Sequence, residues 1–350
     1  MRKLKNKILQ YLIRQAKKSK LVQSAFEAPI SESSFTKKGS FVDSKGNSHI
    51  LYNELRNIVK PGASSVAEAM KKEKVYTDDE ISKMARNSSL LTDRLLSFTR
   101  AFGVNISKSE ILEIGCHSGV VSYALADMGA TVTGTEFSGY KVESTRMTEV
   151  TQTTLNKADE SLQILRKRVA GHFKNADNVK FVDDDICNSV LPTGAFDIVV
   201  SWDVLEHLAE PANAFENISR ILKKGGISVN EYNPFFSLNG GHSLCTLDFF
   251  WGHVRLGEKD FLKYLEQERK TEYDQAKSFY LKGLNRMSIE KMKKYAEKAG
   301  LKLLACYQFT REQHIRMLTG DILDQCKQNY PEITPVDLTT PKVIVVFQKQ

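Results

Sequence analysis

Three histidines and a row of acids are the side chains here best suited to chemistry. His207 ends the string Trp202-Asp203-Val204-Leu205-Glu206-His207, and His242 and His253 follow in a stretch of glycines and aromatics, residues 233–255. Histidine titrates near neutral pH, so each can serve as a general base. Upstream, Gly115-Cys116-His117-Ser118-Gly119 carries glycines that let a backbone turn sharply and pass close to a ligand. Glu136 and the triplet Asp183-Asp184-Asp185 supply carboxylates that can accept hydrogen bonds from a bound molecule.

These residues need elements to hold them. The apolar run Ile111–Ile114 reads as a strand entering the glycine turn, and Val120, Val121, Ala124 and Leu125 then recur at helical spacing. Gly129 stops that helix, and a second strand climbs from Thr131 to Glu136. An acid at the tip of the second strand can take both hydroxyls of a ribose, which predicts a nucleoside-containing cofactor. The G-x-G-x-x-G of dinucleotide sites is missing, because His117 and Ser118 occupy the second-glycine region. Further strands are expected at 179–182, 196–201, 227–230, 301–309 and 342–349, with helices over 211–222 and 288–300. Thr77 and Glu80 form a capping box for a helix that ends near Gly103. Residues 140–173 form a polar helical region expected to break near Thr151–Thr154. Residues 31–49 read as an irregular loop and Pro61–Ser65 as a linker.

The string Glu113-Ile114-Gly115-Cys116-His117-Ser118-Gly119 resembles the E/D-x-G-x-G-x-G signature of class I S-adenosylmethionine-dependent methyltransferases, with His117 in place of the middle glycine. The later blocks Phe196–Ser201, Val204–Leu208 and Arg220–Gly226 resemble the same family in the same order. The resemblance implies an α/β fold, a seven-stranded Rossmann-like sheet of order 3-2-1-4-5-7-6 with strand 7 antiparallel, and S-adenosyl-L-methionine as cofactor. It implies cofactor contacts from Glu113, Gly115, Cys116, His117, Gly119, Glu136, Asp185, Ile186, Ser201 and Trp202, with Asp184 an alternative to Asp185 for the adenine amino group. His207 becomes the first choice of base, with His242 and His253 as further catalytic candidates. Asp203, Glu206 and His207, completed by His242 or His253, resemble a set that binds Mg²⁺ in some methyltransferases. That ion prefers oxygen ligands, and the reading adopted assigns no metal.

Composition narrows the alternatives. The chain has 350 residues, 41% hydrophobic and 26% charged, enough for an α/β core with additions. Five scattered cysteines without a C-x-x-C pair fit free thiols in a reducing compartment. The expected location is cytoplasmic, with a possible exception at the membrane face. Residues 1–20 carry eight of the 50 basic residues and no acid, so the remainder is neutral, with 42 basic against 42 acidic residues. Leu4, Ile8, Tyr11, Leu12 and Ala16 face away from those charges, a pattern open to peripheral contact with an anionic membrane or to docking on the domain itself. A neutral core argues against nucleic acid as partner.

The expected organisation is a basic helix and irregular extension over 1–75 and a methyltransferase domain over 76–350, with lid insertions at 233–286 and 310–341. The core blocks are complete without residues 1–73, so cofactor binding is expected to survive their removal. Histidines, an arginine and aromatics beside glycines in 233–255 read as a pocket for a sugar or other hydroxylated ring, or else as a packed loop. The function expected is O-methylation of a small hydroxylated acceptor such as a sugar or glycan precursor. Methylation of RNA and a non-catalytic cofactor-fold subunit are the alternatives.

Overall fold

The computed structural model describes residues 35–70, 75–138 and 152–350. The basic segment 1–20 and the membrane contact considered for it lie outside these residues; of the break expected near Thr151–Thr154, position 151 also lies outside, while Gln152–Thr154 open a helix that runs to Ala170. Among them, no helix is long and apolar enough to cross a membrane.

Seven strands make the central sheet: β3 (Glu110–Ile114), β4 (Thr131–Glu136), β5 (Val179–Asp183), β6 (Phe196–Trp202), β7 (Leu222–Tyr232), β8 (Leu301–Gln308) and β9 (Val343–Lys349). Their order is β5-β4-β3-β6-β7-β9-β8, and β9 runs antiparallel to both its neighbours while the other pairs around β3 are parallel. Counted from β3, this is the expected 3-2-1-4-5-7-6. The central strands are apolar on both faces because helices cover both. On one side α1 (Asp78–Ala101) and α2 (Val120–Asp127) bury Leu95 and Leu125 against Ile111, Ile198 and Val229. On the other, α4 (Pro211–Ile221) and α7 (Ile289–Lys298) bury Phe215, Ile218 and Met292 against Leu112, Val199 and Phe347. Between them in the chain lie α3 (Gln152–Ala170), α5 (Glu258–Glu268) and α6 (Tyr273–Lys282). The capping box of α1 forms as expected, with Thr77 accepting from the Glu80 N–H.

Three local expectations change. Residues 31–49 are not an irregular loop throughout, since β1 (Lys37–Val42) and β2 (Ser48–Tyr52) pair as an antiparallel hairpin. The Pro61–Ser65 linker is a tight turn: Ala63 is fully buried and its carbonyl accepts from Arg56 Nη2 at 2.9 Å. The fifth strand starts at Leu222, directly after α4, with an irregular register opposite Phe196–Ile198.

The hairpin packs into the insertion over 233–286 rather than standing apart from it. Phe41, Leu51, Tyr52 and Leu55 share one apolar cluster with Phe235, Trp251, Phe261, Tyr264 and Tyr280. The second insertion closes the same body: Trp251 Nε1 donates to the Leu338 carbonyl at 3.0 Å, and Asn329 donates to the Arg255 carbonyl at 2.7 Å. Leu51→Ala is therefore expected to cost about 2–5 kcal/mol. In hydrogen exchange, amides over 235–284 should lose protection while those of β3 and β4 keep theirs. Equal loss in both would mean that lid and sheet unfold as one unit.

Candidate functional site

A cleft of about 330 Å³ opens at the carboxyl ends of β3, β4, β5 and β6. Gly115, His117, Glu136, Asp184, Asp185, Ile186, Trp202, Asp203 and His207 all line it, so the structure brings together most of the residues singled out from sequence. Gly115 (φ +70) and Gly119 (φ +72) bracket the turn, and His117 holds the left-handed region at φ +42 without being glycine. The need for glycine at 115 is steric as well: a Cβ there would lie 2.6 Å from Val204 Cγ2. The loop is tied to the second strand by the His117 N–H, which donates to Glu136 Oε2 at 2.7 Å. Arg166 of α3 clamps it from outside, donating through Nε to the His117 carbonyl at 2.8 Å.

Asp184 Oδ2 and Trp202 Nε1 are buried and have no hydrogen-bond partner among the described residues. The neighbouring Asp185 instead uses both oxygens locally, accepting from the Cys187 N–H at 2.9 Å and from Asn188 Nδ2 at 3.0 Å. With Glu136 at one end, Asp184 and the buried Ile186 at the other and a glycine turn beneath, the residues fit a nucleoside carried on an extended polar group. Phe137, Cys187, Val204, Leu208, Ala209 and Lys282 also line the cleft and were not foreseen. Lys282 reaches it from the end of α6, a relation that no local sequence pattern carries.

The three histidines separate. His207 lies on the cleft wall, and its Nδ1 is 2.6 Å from the Gly283 carbonyl. A carbonyl only accepts, so Nδ1 carries the proton and Nε2 is the basic nitrogen. His242, at φ +51, stands behind it with ring centroids 5.0 Å apart. His253 does not reach the cleft. It is 1% exposed, bonded to the Phe235 carbonyl at 2.8 Å, and burial pushes its pKa down to about 4. The expected sugar pocket over 233–255 is likewise filled: Phe235, Phe236 and Trp251 are core residues, and that stretch comes close to the cleft at His242 and at Asn233, whose Nδ2 donates to Asp203 Oδ1 at 2.8 Å.

Four expected cofactor residues sit beneath the cleft rather than on it. Cys116 is buried against Gly134, whose Cβ would lie 2.8 Å from its Sγ. Gly119 caps α2, and Ser201 donates to Asn230 Oδ1 at 2.8 Å. Glu113 is buried and accepts from the Ser122 hydroxyl. Acids cluster on the other side too. Glu206 is 1% exposed, with its pKa raised to about 8 by burial and then by Asp203. One ligand atom from each of Glu206, His207 and His242 lies within 4.8 Å of the other two, so these three could hold a cation; His253 could not join them.

Burial raises the Glu113 carboxyl to about 7, offset in part by Ser122. A folded-state value above the unfolded one means that folding retains the proton between the two. Stability should therefore fall as pH rises from the ordinary carboxylate range to about 7, then level off. Chemical denaturation at pH 5 and pH 8 should show a loss larger by roughly 2–3 kcal/mol in the parent than in Glu113→Gln, the part left in the variant including that of Glu206. An unchanged slope in the variant would assign the dependence to another group.

Comparison with known proteins agrees with this geometry. Residues 84–306 match the family described as "Methyltransferase domain". The ubiquinone biosynthesis O-methyltransferase of Pseudomonas aeruginosa is 25% identical over 166 residues, which covers 46% of this chain and 60% of that protein. The corresponding enzyme of Thiobacillus denitrificans is 25% identical over 121 residues, or 35% of this chain and 43% of that one. The chain thus spans less than two thirds of the length of these relatives. Among solved structures, phosphoethanolamine N-methyltransferase 2 of Haemonchus contortus in complex with S-adenosyl-L-methionine aligns with a TM-score of 0.42 at 18% identity, covering 83% of this chain and 61% of that one. An S-adenosylmethionine-dependent methyltransferase from Mesorhizobium loti gives 0.42 at 15%, covering 72% and 96%. The family match extends over more than half of the sequence and takes in the glycine loop, Glu136 and the His207 turn: the chain belongs to the class I S-adenosylmethionine-dependent methyltransferases.

Proposed function

We propose that this protein transfers a methyl group from S-adenosylmethionine to a hydroxyl of a small acceptor, a sugar or another hydroxylated ring, with His207 as general base. One observation carries the reading: His207 lines the cofactor cleft with its Nδ1 committed to the Gly283 carbonyl, so Nε2 is the nitrogen that can take a proton. The bound cofactor supplies an electrophilic methyl group. Glu136 would hold the ribose hydroxyls and Asp184 the adenine amino group, with Ile186 against the ring. His207 Nε2 would accept the hydroxyl proton as the acceptor oxygen attacks, and the insertion over 233–286 would keep water out. The O-methyltransferase relatives named above are consistent with an oxygen acceptor.

Calorimetry with S-adenosylhomocysteine tests the cofactor assignments. Glu136→Ala should weaken binding by about 1.5–3 kcal/mol, and Asp184→Asn should weaken it more than Asp185→Asn. The reverse order of the two aspartates would return the adenine contact to Asp185.

His207→Ala should bind S-adenosylhomocysteine normally and lose about 10²–10⁴-fold in kcat. His253→Ala should instead lose stability. Full turnover in His207→Ala, with loss in His242→Ala, would move the base onto the lid. A second reading rests on the proximity of Glu206, His207 and His242, which could bind a divalent ion. Two imidazoles and a carboxylate suit zinc, manganese or iron better than Mg²⁺. Activity abolished by a chelator and restored by one of these ions would favour it over the base.

A further inference from the structure

A second cavity, of about 620 Å³, meets the cofactor cleft at a common wall. Leu208, Ala209 and Lys282 line both spaces, and Tyr280, Asn285, Arg286 and Tyr330 line only the second. The junction lies beside His207, since the His207 ring is bonded to Gly283 and Asn285 Nδ2 donates to the Leu208 carbonyl at 3.0 Å. A molecule filling this cavity would therefore meet the cofactor cleft along the wall of Leu208, Ala209 and Lys282, beside His207.

The charge in this cavity is unusual. The Arg286 guanidinium is packed 4.3 Å from the centroids of both Phe235 and Tyr280. Its Nη1 donates to the Tyr280 carbonyl at 2.7 Å and to the Leu284 carbonyl. The Tyr280 and Tyr330 hydroxyls, 3.5 Å apart, stand at the same place. These partners are neutral carbonyls, phenols and ring faces, and no carboxylate among the described residues pairs with Arg286. Glu258, the acid on this cavity, is exposed at its rim. A half-buried charge met only by neutral groups is stabilised when an anion reaches it. Lys282 adds a second positive charge where the two spaces join.

We propose that this cavity receives the acceptor and that Arg286, aided by Lys282, recognises an anionic group on it, a carboxylate or a phosphate. The inference rests on the methyltransferase reading above and narrows it to acidic hydroxylated molecules. Tyr280 and Tyr330 would flank the acceptor, whose hydroxyl would point past Leu208 and Ala209 to His207.

The test uses the full chain saturated with S-adenosylhomocysteine and titrated by ligand-observed NMR. Matched probes separate charge from shape: glucuronate and glucose 6-phosphate against glucose, and 3,4-dihydroxybenzoate against catechol. At least one anion should bind about tenfold tighter than its neutral counterpart, the scale of a charge-assisted hydrogen bond. The stronger of the carboxylate and phosphate probes identifies the group recognised. Arg286→Gln should remove the preference. Lys282→Gln, an exposed substitution that leaves the fold intact, should reduce it about threefold or more. Equal affinity for charged and neutral probes, no binding of any anion, or a preference untouched in both variants overturns the inference while leaving cofactor binding in place. Failure of S-adenosylhomocysteine itself to bind would instead overturn the methyltransferase reading, and this inference with it.

Discussion

The attachment of residues 283–286 to the turn after β6 is the constraint on which the site depends. The Asn285 N–H donates to the Glu206 carbonyl at 2.8 Å, Asn285 Nδ2 to the Leu205 and Leu208 carbonyls at 2.7 and 3.0 Å, and His207 Nδ1 to the Gly283 carbonyl at 2.6 Å. These bonds satisfy carbonyls that a short turn would otherwise leave exposed or unpaired. They also set the histidine tautomer and fix the end of the insertion against the sheet. The insertion is thus fastened at its exit beside His207. Its remainder is held by an apolar core to which β1 and β2 contribute from far away in sequence.

That arrangement explains what could be read from the sequence. The strands and their helices were legible because each parallel crossover is local: a strand, a turn and a helix follow one another within a short stretch, and Ile111–Glu136 shows all three, whereas their order in the sheet came from the family resemblance. The cleft's centre was legible for the same reason, since Gly115, Glu136, Ile186 and His207 all lie at or just beyond strand ends. The hairpin was not. Lys37–Val42 is mostly exposed, with Phe41 as its buried residue, so its sequence has little alternation, and its partners Phe249 and Tyr264 lie some two hundred residues away. The histidines of the lid were ambiguous because local pattern cannot distinguish a core histidine bonded to a carbonyl from one facing a ligand. Burial among Phe235 and its neighbours decides that for His253. The triplet Asp183-Asp184-Asp185 was degenerate for a similar reason. Asp183 bonds Ser138, Asp185 caps the next turn, and Asp184 Oδ2 is left inside.

The electrostatics of the two spaces are complementary. Glu231, near the carboxyl end of β7, is neutralised by Arg94 and by Lys342 at 2.6 Å. Asp203 accepts from Asn233 Nδ2 at 2.8 Å and Glu206 lies 3.8 Å from His242 Nε2, yet burial raises the pKa of both acids. The cofactor cleft therefore carries Glu136, Asp184, Asp185 and Asp203 against one lysine, Lys282. A ligand bearing a positive sulfonium suits such a lining better than its neutral product does, which favours exchange of spent cofactor for fresh.

Across the wall of Leu208 and Ala209 the balance reverses, with Arg286 and Lys282 against a rim carboxylate. If the acceptor is an acid, the two substrates are drawn to adjoining spaces by opposite fields, and neither competes for the other's place. The reaction then brings a cation and a developing oxyanion together, so charge diminishes on the way to the transition state. Such a step gains from exclusion of water, because less solvation is needed at the top of the barrier than at the start. A lid with a packed aromatic core, fastened at Asn285 and His207, is suited to supply that exclusion. This gives the large investment of sequence in 233–286 a chemical reason beyond acceptor shape.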